Sequence, residues 1–581
     1  MWIEYVTLSV YLLVLMVVGA LFSRLNRNIS DFARGGAQGT WWMVGTSMFM
    51  AGISAFTFTG NASAAFSAGP TFLVIYLANV IGLCLCIWLG PWFRQTRATT
   101  WADVMRERFH VSVEQVSAYV ALLIQPIGAA TQLYALAIFA SSILGLPTPW
   151  VIVVLGLIVL FYSTTGGRWA VMATDFVQGL ILFALTILVF FLALHKVGGF
   201  GAFFGYFSDP RFADDFKWVK EPGQFADDKF TWKWMIMVFI LQVQGYINLG
   251  TAGRFLSVKD SKHARWSSML AAGLMFVGSI VWFLPPMVAR FLYQDEVLAQ
   301  AIKEPATASY AVIAQNLLPN GLMGLMLAAM FAATMSSMDS GLNGMTGVIV
   351  NNMIPLVREK LGLAAMSDRA GLLLCRIFTV VLGIYIIIVA LMLALQKELS
   401  LFDAYLMISA VVGLPLSMPV LIALWLKRLH WWSYYIIVGA SLIPAIYFVV
   451  QSSISNENWP IQDRLIWIYL FSIVGCLISL PLWRYASPKY REQIRVFYEK
   501  MHTPVDFAKE IGVSQDAAQY KILGSISVIL GGGILLFMLM PNTLAARLQV
   551  LALGGVVVVV GLLLIGGARR SAIEEKAGNE Q

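Results

Sequence analysis

The chain has 581 residues, of which 59% are hydrophobic and only 12% charged, with a formal net charge of +8. Mean hydropathy is +0.77, whereas a soluble globular chain is about a quarter charged. This excludes an ordinary soluble enzyme and predicts an all-α polytopic membrane protein in one bundle. The basic surplus is read as Lys and Arg crowding the cytoplasmic loops, not as a nucleic-acid surface.

Apolar runs of roughly 20 residues, each able to cross ~30 Å of hydrocarbon, recur along the chain. About fifteen spans are predicted: 2–23, 42–66, 71–93, 115–145, 149–165, 169–195, 230–257, 266–294, 308–350, 372–394, 402–426, 433–451, 463–484, 521–540 and 548–567. Basic residues collect after the odd-numbered spans, among them Arg24, Arg94, Arg97, Arg168, Lys259, Arg358 and Lys427. Loops after even-numbered spans are neutral, acidic or mixed. The alternation places the N-terminus outside and the C-terminus in the cytoplasm of a cell exposing this protein at its plasma (inner) membrane. Residues 196–229 are then an outer capping loop, 485–520 a partly helical cytoplasmic segment, and 568–581 a charged, disordered cytoplasmic tail.

Four stretches interrupt this apolar pattern. The first, Met43 to Gly69, mixes Gly52, Gly60 and Gly69 with Ser54, Thr57, Thr59 and Asn61 in span two. Glycine weakens a helix and exposes carbonyls that can hold a cation, as in the broken helices of transporters. The second, Phe161 to Gly179, contains a predicted turn "TTGG" and then Asp175 inside span six. The third, Ile240 to Leu256, carries Gln242, Gln244 and Asn248 in span seven and ends on Arg254. Spans two and seven stand five apart, the placement expected of matched broken helices in paired five-helix repeats. The fourth, "MLAAMFAATMSSMDSGLNG" in span nine, sets Ser336, Asp339, Ser340 and Asn343 at i, i+3, i+4 and i+7 on one helix face, with Ser337 alongside. Serines alone in such a helix serve close packing as often as binding. A carboxylate at membrane depth marks an ion or proton path.

The four cysteines, Cys84, Cys86, Cys375 and Cys476, lie in apolar segments without zinc-ligand spacing and are read as packing residues. The five histidines, His110, His195, His263, His430 and His502, fall at span ends and loops, so no enzyme is expected. A transporter-like solute sensor would carry a signalling module, and none is legible.

Taken in order, "SxxxFTG" of span two, "GGRWAVMATDFVQ", the Asn-x5-Arg of "NLGTAGR" and the "MSS" of span nine resemble the sodium/solute symporter family over residues 2–484. The resemblance implies a LeuT-like 5+5 inverted-repeat core over 42–426, with repeat one at 42–195 and repeat two at 230–426. It leaves 1–41 as an extra helix and loop, and 427–567 as additional helices. It implies Na+ as coupling ion, held by backbone carbonyls of Met50, Ile53 and Ala333 and hydroxyls of Ser336 and Ser337. It also implies a possible second Na+ site at Asp175, Ser336, Asp339 and Ser340, although Asp339 stands where the sialic acid carriers have serine.

The family's sugar-binding positions hold Thr57, Tyr76, Leu241, Met275 and Leu406 here, so the known sugar set is absent. Span four has no Arg or Lys where the sialic acid carriers place an arginine, offering Gln125, Gln132 and Tyr134 instead, and Gly52 stands where the proline carriers have aspartate. The expected solute is therefore neutral and rich in hydroxyls or amides, met by Thr57, Asn61, Tyr76, Gln244 and Asn248. A sugar or polyol comes first; a neutral amino acid or small carboxylate, or proton coupling, are the alternatives. Expected partners are that solute, sodium ions and the lipid bilayer, with oligomeric state open.

Overall fold

The computed structural model describes residues 33–247, 249–300, 302, 304–319, 321–364, 366–395, 401–455, 459–512, 516–540 and 542–579, and parts of 6–17. Predicted span one and Asn248 therefore lie wholly or mostly outside the described residues. Among those described, 11 helices are long and apolar enough to cross a membrane, and Thr148–Phe161 is a shorter apolar helix. No strand occurs among them; one isolated bridge joins Gly39 to Val258. The chain is an integral membrane protein.

The first core run is broken. Helix α1 (Trp41–Ala51) ends at Gly52, and after one 3-10 turn at Ala55–Phe58 the chain enters α2 (Gly60–Ala68). Ser54 restarts the helix through a capping box: its hydroxyl accepts from Phe56 N at 3.2 Å, and Thr57 Oγ1 accepts from Ser54 N at 3.4 Å. Gly52 serves close approach instead, since a Cβ there would lie 2.6 Å from both Met275 Cε and the Tyr246 hydroxyl. Gly69, at φ +62°, turns the chain towards α3 (Leu73–Gln95) with so little intervening loop that spans two and three run on from each other.

Then follow α4 (Trp101–Arg108), α5 (Val111–Leu144) and α6 (Thr148–Lys196). The backbone of α6 stays helical through the turn expected at Thr164–Gly167, but at about 1.5 Å per residue a straight helix of this length would be more than twice the ~30 Å of hydrocarbon, so the chain bends there. Glycine pairs can bend a helix without ending it, and the two apolar stretches of α6 lie on either side. The second break is present. Helix α7 (Trp232–Tyr246) stops at Ile247, and α8 (Leu249–Phe255) begins two residues later.

The second half contains α9 (Ser261–Leu292), α10 (Ser309–Leu317), α11 (Leu322–Val348), α12 (Asp368–Leu395), α13 (Leu401–Ile408) and α14 (Leu414–Trp425). Predicted span nine is thus divided, with α10 separated from α11 by a turn at Gly321. Helix α11 is the axis of the bundle. Its most apolar stretch is 94% buried, against 28% for that of α12, so its polar stripe faces protein and not lipid. It packs on α1, α5 and α6, while α9 packs on α1, α3 and α6.

Helices α15 (Trp432–Ser455) and α16 (Ile461–Ser479) pair beside this core. The segment 485–520 contains the amphipathic α17 (Pro488–His502). The last pair, α18 (Asp516–Leu535) and α19 (Leu544–Asn579), is antiparallel and close: a Cβ at Gly524 would lie 2.7 Å from Gly561 O, and one at Gly531 2.9 Å from Gly554 O. This pair leans on α6. Helix α19 runs on through residue 579, where the sequence predicts a disordered tail. Ala, Glu and Lys are good helix formers, and extending a formed helix costs far less than starting one. The 196–229 loop is a packed cap: Phe203, Phe212 and Phe216 gather on Phe291, and Thr71 Oγ1 donates to the carbonyls of Lys217 and Trp218.

Candidate ion and solute site

Where α1 ends, its last carbonyls face α11. Two carbonyls from this end, Ala51 and Ile53, and one from α11 itself, Ala333, converge on one hydroxyl: Ser337 Oγ lies 3.0 Å from Ile53 O, 3.4 Å from Ala333 O and 3.5 Å from Ala51 O. One hydroxyl proton cannot satisfy three acceptors. The surplus of oxygen lone pairs around one point, with no sulfur, is the donor set a hard cation takes. Of the predicted ligands, Ile53, Ala333 and Ser337 come together here. The carbonyl of Met50 accepts Ile53 N at 3.2 Å in the closing turn of α1, and Ala51 O, one residue on, is the carbonyl of that turn that reaches Ser337. Helix α11 also supports the break directly, since Thr334 Oγ1 accepts from Ala55 N at 2.9 Å.

Ser336 points elsewhere. It faces the Asp175 carboxylate on α6 without a well-formed hydrogen bond, leaving Ser336 Oγ and Asp175 Oδ1 buried and unpaired. Asp175 Oδ2 accepts from Ser47 Oγ at 2.5 Å. Arg254 Nη1 in turn donates to Ser47 O at 2.8 Å and Oγ at 2.9 Å. Asp339, also fully buried, is bonded to Ser163 and makes no ion pair among the described residues. Ser340 Oγ and both amide atoms of Asn343 are buried without partners as well. The predicted second set therefore gathers on the α6 and α11 faces, and it holds more oxygen atoms than hydrogen-bond donors.

Next to the Ser337 cluster is a cavity of about 470 Å3, within the size range of small-molecule pockets. Three predicted solute residues form a relay at its wall: Asn61 Nδ2 donates to Tyr76 OH at 2.9 Å, and Tyr76 OH donates to Thr57 Oγ1 at 3.2 Å. The cavity runs from this relay past Ser337 and Ser340 to Thr99–Trp101 and Gly344, at the arginine-rich end of the bundle. Beyond the relay in the other direction, Phe58 packs edge-on to Tyr310 at 4.9 Å, and Ser63 Oγ donates to Glu304 Oε1 at 3.3 Å. The charged side chains lining the cavity are Arg168 and Arg254. Arg254 is bonded to Ser47 and Arg168 Nε to Ser257 Oγ at 3.3 Å.

Gln244 does not reach the cavity. Its Nε2 donates to Ser417 Oγ at 2.8 Å and its Oε1 accepts from Tyr469 OH at 2.7 Å, so both amide ends face α14 and α16. Gln242, two residues earlier and on the opposite side of α7, lines the cavity instead. Sequence reasoning also passed over Asn79. Asn79 Oδ1 and Gln132 Oε1 are buried, unpaired and at the cavity wall. A lone amide inside "IYLANVIGLCLC" was a signal that could have found Asn79.

Two helices broken within a membrane bundle, with oxygens converging between the first break and the central helix beside a polar cavity, define a secondary transporter. Comparison with known proteins agrees. A family model described as the sodium:solute symporter family matches residues 32–431. The sodium/sialic acid symporter NanT of Aliivibrio fischeri is 22% identical over 85% of this chain and 94% of its own length. Sodium/glucose cotransporter 1 of Ovis aries is 25% identical over 81% of this chain and 76% of its own length. The solved substrate-bound, outward-open structure of a Na+-coupled sialic acid symporter superposes with a TM-score of 0.70 at 21% identity, covering 84% of this chain and 98% of that one; this likeness is one of fold. The chain belongs to the sodium:solute symporter family. It has the family's LeuT-like core, and sodium ions, a small-molecule solute and the bilayer are its partners.

Proposed function

We propose that this symporter imports a neutral, hydroxyl-rich solute, a sugar or polyol first, together with sodium across the plasma (inner) membrane. The observation that carries the reading is the chemistry of the relay end of the cavity. Thr57, Asn61, Tyr76, Asn79, Gln132 and Gln242 offer hydroxyls and amides, and no ionised side chain stands among them. Such groups pair with solute hydroxyls, whereas a carboxylate solute needs a bidentate arginine, and the two arginines at the cavity, Arg168 and Arg254, are engaged by Ser257 and Ser47.

Sodium binds at Ser337 with the carbonyls of Ala51, Ile53 and Ala333, with Ser336 adjacent. A second cation sits between Asp175, Ser336, Asp339 and Ser340. The first ion ties the break of α1 to α11, which shapes the relay wall and favours solute binding from outside. The arginine-rich end is cytoplasmic, so the conformation described above opens inward, with Ser337 facing the cavity through which the ion leaves. Each Na+ entering down 100 mV supplies about 2.3 kcal/mol before the concentration term.

The test is a thermal-unfolding screen of the purified protein in NaCl and in choline chloride, across sugars, polyols, neutral amino acids and small carboxylates. Stabilisation by a sugar or polyol in NaCl only is the expected result. Stabilisation by an amino acid or a carboxylate alone would reject the solute class while leaving the sodium assignment standing.

A further inference from the structure

A second concavity, of about 440 Å3, opens where the loop after α14, the end of α16 and the helix α17 meet. Lys427, Arg428, Arg491 and Arg495 line it, against one carboxylate, Glu499. Arg495 is engaged, pairing with Glu492 and Glu499 at 2.6 Å each. The other three cations have no carboxylate partner among the described residues. Lys427 Nζ stands 5.4 Å over the Tyr498 ring, Arg491 stands 5.9 Å from the Trp483 ring, and Arg428 is exposed. With the one lining carboxylate taken up by Arg495, three like charges in one recess repel one another and favour an anion between them.

The location says which anion. Helices α14 and α16 cross the membrane and end here, flanked by exposed Trp425, Trp432 and Tyr485, the aromatic residues typical of the membrane–water boundary. Leu477 and Ile478 on α16 are exposed immediately above, where acyl chains would lie. We propose that this groove binds the phosphate headgroup of an anionic phospholipid. The lipid would rest against Tyr498, whose hydroxyl bonds Ala423 O and accepts from Arg108 Nε at 3.0 Å. Arg108 closes α4, and Thr100, which caps the other end of α4, lines the transport cavity. Headgroup binding therefore holds α17 onto the segment that walls the inner end of the cavity.

The test is a native mass spectrometry titration of the delipidated full-length protein with phosphatidylglycerol, phosphatidylcholine and inorganic phosphate. Phosphatidylglycerol should bind in preference to phosphatidylcholine, and inorganic phosphate should neither bind comparably nor displace it. Removing one basic contact should weaken the lipid about fivefold, so Arg428→Gln is the first variant, its side chain being exposed and making no hydrogen bond or ion pair among the described residues. Arg428→Gln with Arg491→Gln should lose about 25-fold if the two act independently. Lys262→Gln, an exposed charge in the first turn of α9, should change nothing. Equal binding of the two lipids, unchanged affinity in Arg428→Gln, an equal loss in Lys262→Gln, or phosphate competing as well as the lipid would each overturn the proposal.

Discussion

Replacing Ser337 by alanine removes the one side-chain oxygen at the point where three carbonyls converge. In the ion-bound state that oxygen is a ligand to a charged partner, a contact of ~1.5–3 kcal/mol. In the ion-free state the same hydroxyl donates to Ile53 O at 3.0 Å, a neutral bond of ~1 kcal/mol, and alanine loses that too. The difference, roughly 0.5–2 kcal/mol, weakens sodium about 2- to 30-fold. The assay is a tryptophan-fluorescence titration with NaCl against KCl and choline chloride, for which the 19 tryptophans supply the signal. Ser337→Cys should fare no better than alanine, because sulfur is a poor ligand for a hard cation. An unchanged sodium affinity in Ser337→Ala, with the protein folded, would refute the placement of the ion at this cluster.

Other outcomes follow from the same geometry. Asp339→Asn keeps the shape but removes the charge beside Ser163, so the Hill slope for sodium should fall towards one; an unaltered slope would deny Asp339 a cation. Gly52→Ala should lower the unfolding temperature through about 1–3 kcal/mol of overpacking, because its Cβ would meet Met275 and Tyr246; Gly52→Ala combined with Tyr246→Phe should recover part of that loss. Tyr76→Phe breaks both links of the relay and should raise the solute KM several-fold, at about 1 kcal/mol per lost bond, without changing sodium affinity.

The helix breaks were legible in the sequence because Gly52 and the run of Ser and Thr after it contradict the apolar run around them. The polar stripe of α11 was legible for the same reason, through the 3.6-residue period. What could not be read was direction. Whether Met50 or Ala51 offers its carbonyl depends on where the last hydrogen-bonded turn of α1 closes, and helix ends shift by a residue or two without altering composition. Gln242 and Gln244 are chemically alike, yet two residues turn a helix through about 200°, so only packing decides which one meets the cavity. Thr57, Asn61 and Tyr76 are all legible as polar residues of spans two and three, and their hydrogen-bonded relay follows from the tight turn at Gly69 that brings Tyr76 within reach of Asn61 and Thr57. The continuation of α19 is not legible from composition, because charge suggests a disordered tail, whereas the same residues prolong a helix that is already formed.

The central claim is that a sodium gradient drives uptake of a neutral solute. It is tested most directly in proteoliposomes loaded with potassium, with valinomycin setting an inside-negative potential and a stabilising sugar or polyol supplied as radiolabel. With sodium outside, the label should accumulate above its external concentration, and choline in place of sodium should abolish that accumulation. Equal accumulation in choline, or accumulation that follows an imposed pH gradient and ignores sodium, would contradict the account.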